Sequence, residues 1–212
     1  MDNHNKDSKK LNYLPDSEYP LSSTTTELIK SLRSIISNIN YLDPLYENIE
    51  LSETVKKLER LINEAKSEIK LSHRTNGRYR NPISGILNPI AAPLLSPSED
   101  DSLFYIRFNE AYQGVPTLVH GGVILSVLDD VIQKTAQKAG YLCLTADIKT
   151  VFKKKTPLNT DLIVKGEIVE IQDGKIIISS SLINGDIATA TAVATMIPLK
   201  LDAIKGLSDP SK

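Results

Sequence analysis

Residues 121–139 carry an apolar arc too wide for a helix lying on a surface. At 100° per residue, Val123, Ile124, Leu125, Val127, Leu128, Val131, Ile132, Ala136 and Ala139 fill most of the wheel. Such a helix must be covered by more than one surface. The C-terminal third of the chain can supply the cover. Four strand-like runs lie there, at about 144–154, 160–171, 175–184 and 187–198, and Leu103 to Ala111 reads as a further strand before the helix. Asp173-Gly174 and Asn184-Gly185 have the composition of two-residue hairpin turns. In the last run Ala188, Ala190, Ala192 and Ala194 fall on one side, while Ile187, Thr189, Thr191, Val193, Thr195 and Ile197 fall on the other. A face of alanines suits close approach of a helix. The expectation is an α+β domain: one strand, one long helix, then a four-strand antiparallel meander curling around the helix.

The chain ahead of this unit divides by composition. Residues 1–21 are polar and read as a disordered tail. Residues 22–71 read as a helical extension. Thr24-Thr25-Thr26-Glu27 fits a capping box, and Leu28, Leu32, Ile35, Ile36 and Ile39 recur at helical spacing. Asp43-Pro44 punctuates, and Ser52 is placed to cap a second helix bearing Val55, Leu58, Leu61, Ile62, Ala65 and Ile69. Its apolar stripe needs a partner: the first helix, the main domain or another subunit. Residues 72–100 hold Arg74, Arg78 and Arg80 and then four prolines, and their apolar residues imply packing onto something. The main domain occupies 101–200 and a short tail 201–212.

Composition excludes several functions. The 212 residues are 41% hydrophobic and 24% charged, with a formal net charge of −1. That balance gives no bulk attraction to nucleic acid. No segment approaches the ~18 apolar residues of a membrane span, and the N-terminus lacks a signal peptide's apolar core, so a cytoplasmic location is the default. A lone cysteine, Cys143, allows no internal disulfide and, set between two leucines, reads as a small core residue. His4, His73 and His120 have no metal-ligand spacing.

The start of the long helix carries the chemistry. Gly121 and Gly122 follow His120, and Asp129 lies inside the helix. Bare amides at a helix start, with the positive end of the dipole behind them, can hold an anion or a developing oxyanion. A nearby carboxylate can act as base or nucleophile. Of two adjacent aspartates, Asp130 has Lys134 four residues on and is expected to form a surface ion pair. Asp129, at the edge of the apolar arc with no such cation, is the functional candidate. Eight residues of helix separate Gly121 and Asp129 by ~12 Å, too far for both to reach one carbonyl. Two antiparallel copies of the helix would solve this, Gly121 of one chain meeting Asp129 of the other, in a C2 dimer.

The stretch Gly114-Val115-Pro116-Thr117-Leu118-Val119-His120-Gly121-Gly122, with Asp129 nine residues after the histidine, resembles the hotdog-fold acyl-CoA thioesterases of the PaaI-like type. Thr145-Ala146-Asp147-Ile148-Lys149-Thr150-Val151-Phe152-Lys153-Lys154 looks like their second strand, and Asn88 to Leu94 like a lead-in segment of some members. The resemblance covers about residues 80–199. It implies a sheet wrapped around the helix and hydrolysis of an acyl-CoA to the free acid and CoA. No cofactor is implied beyond the coenzyme A of the substrate, and no metal. The Gly121 amide would polarise the thioester carbonyl, Asp129 would activate water or attack directly, His120 would position the loop or the carbonyl, and Thr145 would assist the carboxylate. Gly122 and Gln113 fall at the substrate, and Lys153, Lys154 and Lys155 are candidates for the phosphates of coenzyme A. The assembly implied is a homodimer, or a tetramer built from it. The chain departs from the pattern at Val115 and Thr117, where Gly or Pro is common, and at Lys155, where Pro is common. A non-catalytic hotdog module that binds acyl-CoA or acyl-carrier protein is the alternative; a hydratase on the same fold would need a His-Asp or His-Glu motif that is missing here.

Overall fold

A computed structural model describes residues 23–39, 42, 47–68, 81–85, 88–92, 94–95 and 102–199. The two terminal tails, the basic stretch Arg74–Arg80 and the acidic run Glu99–Asp101 lie outside the described residues. The order of elements is helix α1 (Ser23–Ile39), helix α2 (Ile49–Glu68), strand β1 (Leu103–Arg107), a 3-10 turn (Glu110–Tyr112), helix α3 (Gly121–Lys138), and strands β2 (Cys143–Phe152), β3 (Asp161–Gln172), β4 (Lys175–Asn184) and β5 (Ile187–Pro198).

The five strands form one antiparallel sheet in the order β1-β3-β4-β5-β2. The expected four-strand meander is therefore three strands long. β3, β4 and β5 follow one another through the Asp173-Gly174 and Gly185-Asp186 turns, where Asp173, Gly174 and Gly185 have positive φ. β2 instead crosses to pair with β5, at the far side of the sheet from β1. The linker between β2 and β3 has no two-residue turn to hold them side by side. This arrangement, a sheet curled around one long helix, is the hotdog fold.

α3 sits in the concave face. Ile124, Val127, Leu128, Val131, Ile132 and Ala136 are all buried against Ala190, Ala192, Ala194, Met196, Ile176, Ile178 and Leu182 of the strands. Each fully buried aliphatic side chain contributes about 1.5–3 kcal/mol, so the helix is the centre of the core. The alanine face of β5 lies under the helix as its alternation implied. Thr189 departs from that alternation. A bulge opposite Leu182 and Ile183 turns it inward, where it accepts a hydrogen bond from Thr156 and donates to the Leu182 carbonyl. Gly166 of β3 marks the closest approach: a Cβ there would run into Thr135 Oγ1 and come within 3.1 Å of Val131.

The extension is only partly as the sequence implied. α1 starts at Ser23, but α2 begins at Ile49 rather than after Ser52, because Asn48 Oδ1 accepts from the Leu51 amide at 2.8 Å. The apolar residues Ile49, Leu51, Val55, Leu61 and Ile62 of α2 remain exposed in the single chain. The lead-in segment does pack: Ala91 and Ala92 are buried, and Ile83 and Leu94 rest on the core. Leu95 bridges to Tyr105, so one edge of the sheet is partly covered; the other edge, β2, has no strand beside it among the described residues. No described helix is long and apolar enough to cross a membrane.

If contact between α3 and β3 sets the depth of the helix, Gly166→Ala will destabilise the fold by about 1–3 kcal/mol. Adding Thr135→Ala will recover part of that loss, and denaturant unfolding of the two variants checks both.

Candidate active site

The α3 N-terminus is built by local hydrogen bonds. His120 is its N-cap, in extended conformation at φ −63° and ψ 133°, and its carbonyl accepts from the amides of Val123 and Ile124. The Gly122 amide donates to His120 Nδ1 at 3.0 Å. With Nδ1 as acceptor, Nε2 is the ring nitrogen left to donate. One of the two glycine amides is thus used by the histidine. The Gly121 amide has no acceptor among the described residues. A Cβ on Gly122 would lie a tight 3.1 Å from His120 Nδ1, whereas one on Gly121 would make ordinary contact with the Phe152 ring at 3.4 Å.

The loop before His120 is tied at both ends. Gln113 bridges to Val119, the His120 amide donates to the Tyr112 carbonyl, and the Val119 amide donates to the carbonyl of buried Thr156. Thr117 sits at φ 70°, a left-handed conformation that strains a β-branched residue. It occupies a position where the resembling family often has Gly or Pro. Two bonds hold it there: its amide donates to Gln113 Oε1 at 3.1 Å, and its carbonyl accepts from the Leu158 amide at 3.0 Å. Gln113 is exposed, and its carbonyl oxygen serves the loop. Tyr112 anchors the same loop, stacked edge-on against Phe108 with its hydroxyl donating to the Ala91 carbonyl at 2.9 Å. Burial pushes the Tyr112 phenol pKa up, with nearby Arg33 opposing, so the hydroxyl stays a donor.

Asp129 is half-buried, and its Oδ1 accepts from Thr145 Oγ1 at 2.9 Å. Gln133 Nε2 donates to the same Thr145 oxygen at 2.9 Å. A chain from Gln133 through Thr145 to Asp129 therefore fixes one carboxylate oxygen. Thr145 reaches α3 because of a bulge. It pairs with buried Met196, but the next pair is Asp147 with Thr195, so Ala146 is the extra residue. Before the bulge Cys143 and Thr145 face the helix; after it Ile148 and Thr150 do, their partners being the buried Ala194 and Ala192. Gln133 was not singled out from sequence, although it lies four residues after Asp129 on the same helical face, a spacing that brings side chains together.

Asp130 is not the surface ion pair expected. It is 6% exposed; Asn81 Nδ2 donates to its Oδ1 at 2.8 Å, and Lys134 stands 3.8 Å from its Oδ2. Asn81 also accepts from the Ile83 amide at 2.7 Å. The lead-in segment folds over this face of α3 and covers the carboxylate, so Asp130 is the tie between segment and helix. Asp129 and Asp130 share a recess of about 430 Å³ with Pro82, Ile83, Gln133 and Cys143. Cys143 is buried, and desolvation pushes its thiol pKa up, in keeping with a core residue rather than a nucleophile.

Lys153, Lys154 and Lys155 are exposed and line a groove of about 720 Å³ with Phe152, Asn184, Ile187 and Thr189. The amides of Lys153 and Lys154 both donate to the Thr189 carbonyl, fixing the strand end. The groove begins at Phe152, the ring against Gly121. Within one chain the structure thus joins Asp129 with Thr145, and Gly121 with His120, Gly122 and the head of the lysine groove. It does not bring Gly121 to Asp129.

No family model matches the chain. It is 32% identical over 96 residues to acyl-coenzyme A thioesterase THEM4 of Mus musculus, covering 45% of this chain and 41% of that protein. It is 27% identical over 105 residues to acyl-coenzyme A thioesterase THEM5 of Mus musculus, covering 50% and 42%. The chain therefore spans less than half the length of these relatives. Among solved structures, a thioesterase superfamily protein superposes with a TM-score of 0.73 at 19% identity, over 84% of this chain and 92% of that one. The share of this chain is larger than residues 103–198 can supply, so the likeness in fold reaches into the region ahead of β1.

The strain at Thr117 predicts that Thr117→Gly will not destabilise the protein and will stabilise it by up to ~1 kcal/mol, strain relief exceeding the added chain entropy. Thermal unfolding checks this; a clear loss of stability would mean that the threonine side chain contributes more than its backbone costs.

Proposed function

We propose that the protein hydrolyses an acyl-CoA thioester, with Asp129 and the Gly121 amide completing one site across a dimer interface. The observation that carries this reading is the pair of half-sites on α3: an amide at its first residue with no acceptor among the described residues, and a carboxylate eight residues on, oriented by Thr145 and Gln133. The sequence likeness to the two acyl-CoA thioesterases agrees with it.

In this mechanism the thioester carbonyl oxygen points at the Gly121 amide of one chain. Asp129 of the other uses the carboxylate oxygen that Thr145 leaves open. As base it takes a proton from water, and the resulting hydroxide attacks the carbonyl carbon. The tetrahedral oxyanion is held by the amide and the helix dipole. Collapse breaks the C–S bond, and the departing thiolate takes the proton from Asp129. As nucleophile, Asp129 would instead form an acyl anhydride, expel the thiolate and be released by water. Neither route calls for a metal or redox group. Helix geometry supports the dimer, since ~12 Å along α3 separates the two half-sites. The β2 edge, beside which no described strand lies, has Leu144, Val151 and Phe152 exposed and gives the second copy a surface to meet. Lys153, Lys154 and Lys155 then face the phosphates of coenzyme A, and Gln113 holds the loop beside the carbonyl through Thr117.

The expected result for Asp129→Asn is a loss of at least ~100-fold in kcat for thiol release from acyl-CoA, with unchanged Tm and assembly state. Near-normal turnover would remove Asp129 from the mechanism. Tight acyl-CoA binding by the native protein without thiol release would favour the non-catalytic module.

A further inference from the structure

A cavity of about 320 Å³ lies between α1 and the N-terminal half of α3. We infer that it is the acyl pocket of this site, taking a linear saturated acyl chain of about eight to twelve carbons. The inference rests on the acyl-CoA reading above.

Three observations support it. The first is chemistry. Ile36 of α1, Ile83 of the lead-in segment, and Val123 and Val127 of α3 supply apolar wall. Four polar side chains at the wall bond to backbone: Arg33 Nη2 donates to the Asn88 carbonyl at 3.2 Å, Tyr112 to that of Ala91 and Ser126 to that of Gly122, and Asn109 Oδ1 accepts from the Ala111 amide. Such a space favours an alkyl group over a polar one. The second is position. Val123 is two residues beyond Gly121, a rise of ~3 Å and a rotation of about 200°, so the cavity lies round α3 from the Phe152 ring that faces Gly121. Pro82 and Ile83 line both this cavity and the recess holding the same chain's Asp129, which serves the second site of the dimer. A carbonyl held at the start of α3 has this cavity on one side of the helix and the Phe152 groove, with its lysines, on the other. The third is size. An apolar cavity of about 150 Å³ holds a benzene molecule, so roughly twice that volume matches a chain of about ten carbons.

α1 thereby gains a role that the sheet and α3 alone do not give it: through Ile36 it closes the pocket and sets the chain length. Enlarging Ile36 from one wall, or Val123 from the other, should shorten the preferred chain.

The test measures kcat/KM for saturated acyl-CoAs from two to sixteen carbons with native protein, Ile36→Trp and Val123→Phe. The native profile is expected to peak between eight and twelve carbons. Each variant is expected to lower the ratio of decanoyl-CoA to butyryl-CoA turnover at least tenfold. A native profile that is flat or peaks elsewhere, an equal loss at every length, or unchanged profiles in both folded variants would overturn the inference. Calorimetric binding of the non-hydrolysable thioethers of decanoyl-CoA and butyryl-CoA separates this from failure of the hydrolase reading. With no turnover, tighter binding of the decanoyl thioether that either variant abolishes would uphold the pocket. Equal affinities for the two thioethers would overturn it.

Discussion

Close contact between α3 and the concave face of the sheet is the constraint on which the rest depends. Alanines of β5 and Gly166 of β3 leave room for the helix, and its own branched residues fill that room. With the helix seated this deep, its first turn emerges at the end of the sheet. There His120 caps it and the Gly121 amide is left open. The same seating brings the face bearing Asp129 and Gln133 up to β2, where one bulge turns Thr145 toward the helix. Packing and chemistry are thus two consequences of one contact.

The division of labour along α3 comes from its neighbours. Asp129 faces a recess and keeps one oxygen open. Asp130, one residue on, is covered by the lead-in segment and held by Asn81 and Lys134. Two adjacent carboxylates have different surroundings because a helix turns ~100° per residue. The strained Thr117, the buried Thr156–Thr189 pair and the Tyr112 anchor all hold the loop that presents His120. A loop so restrained keeps the open amide in a fixed direction, which electrostatic stabilisation of an oxyanion requires.

Much of this was readable in the chain. The wide apolar arc gave the buried helix, the two turn dipeptides gave the β3-β4-β5 hairpins, with the second turn one residue later than expected, at Gly185-Asp186, and the alanine face of β5 told which side meets the helix. The pairing of β2 with β5 was not readable, because long-range pairing leaves no local signal beyond the absence of a tight turn. The inward Thr189 and the bulge at Ala146 escaped for a related reason: an inserted residue reverses the alternation without changing composition. The environment of Asp130 is not legible in the chain, because the i,i+4 lysine is local and the covering segment, 49 residues away at Asn81, is not. The candidate carboxylate and glycines stand out by residue type and spacing; Gln133 bonds to Thr145, a contact that only the fold creates.

The central claim is that Gly121 of one chain and Asp129 of another form one site, and subunit mixing tests it. Gly121→Pro removes the amide proton at a first helical position that tolerates proline, after a His120 already in the extended conformation proline demands. Each of Gly121→Pro and Asp129→Asn alone should be inactive. After subunit exchange, half the dimers are mixed and each has one intact site of two, so thiol release should return to about a quarter of the native rate. Mixed dimers, verified by mass, that stay inactive would contradict the shared site.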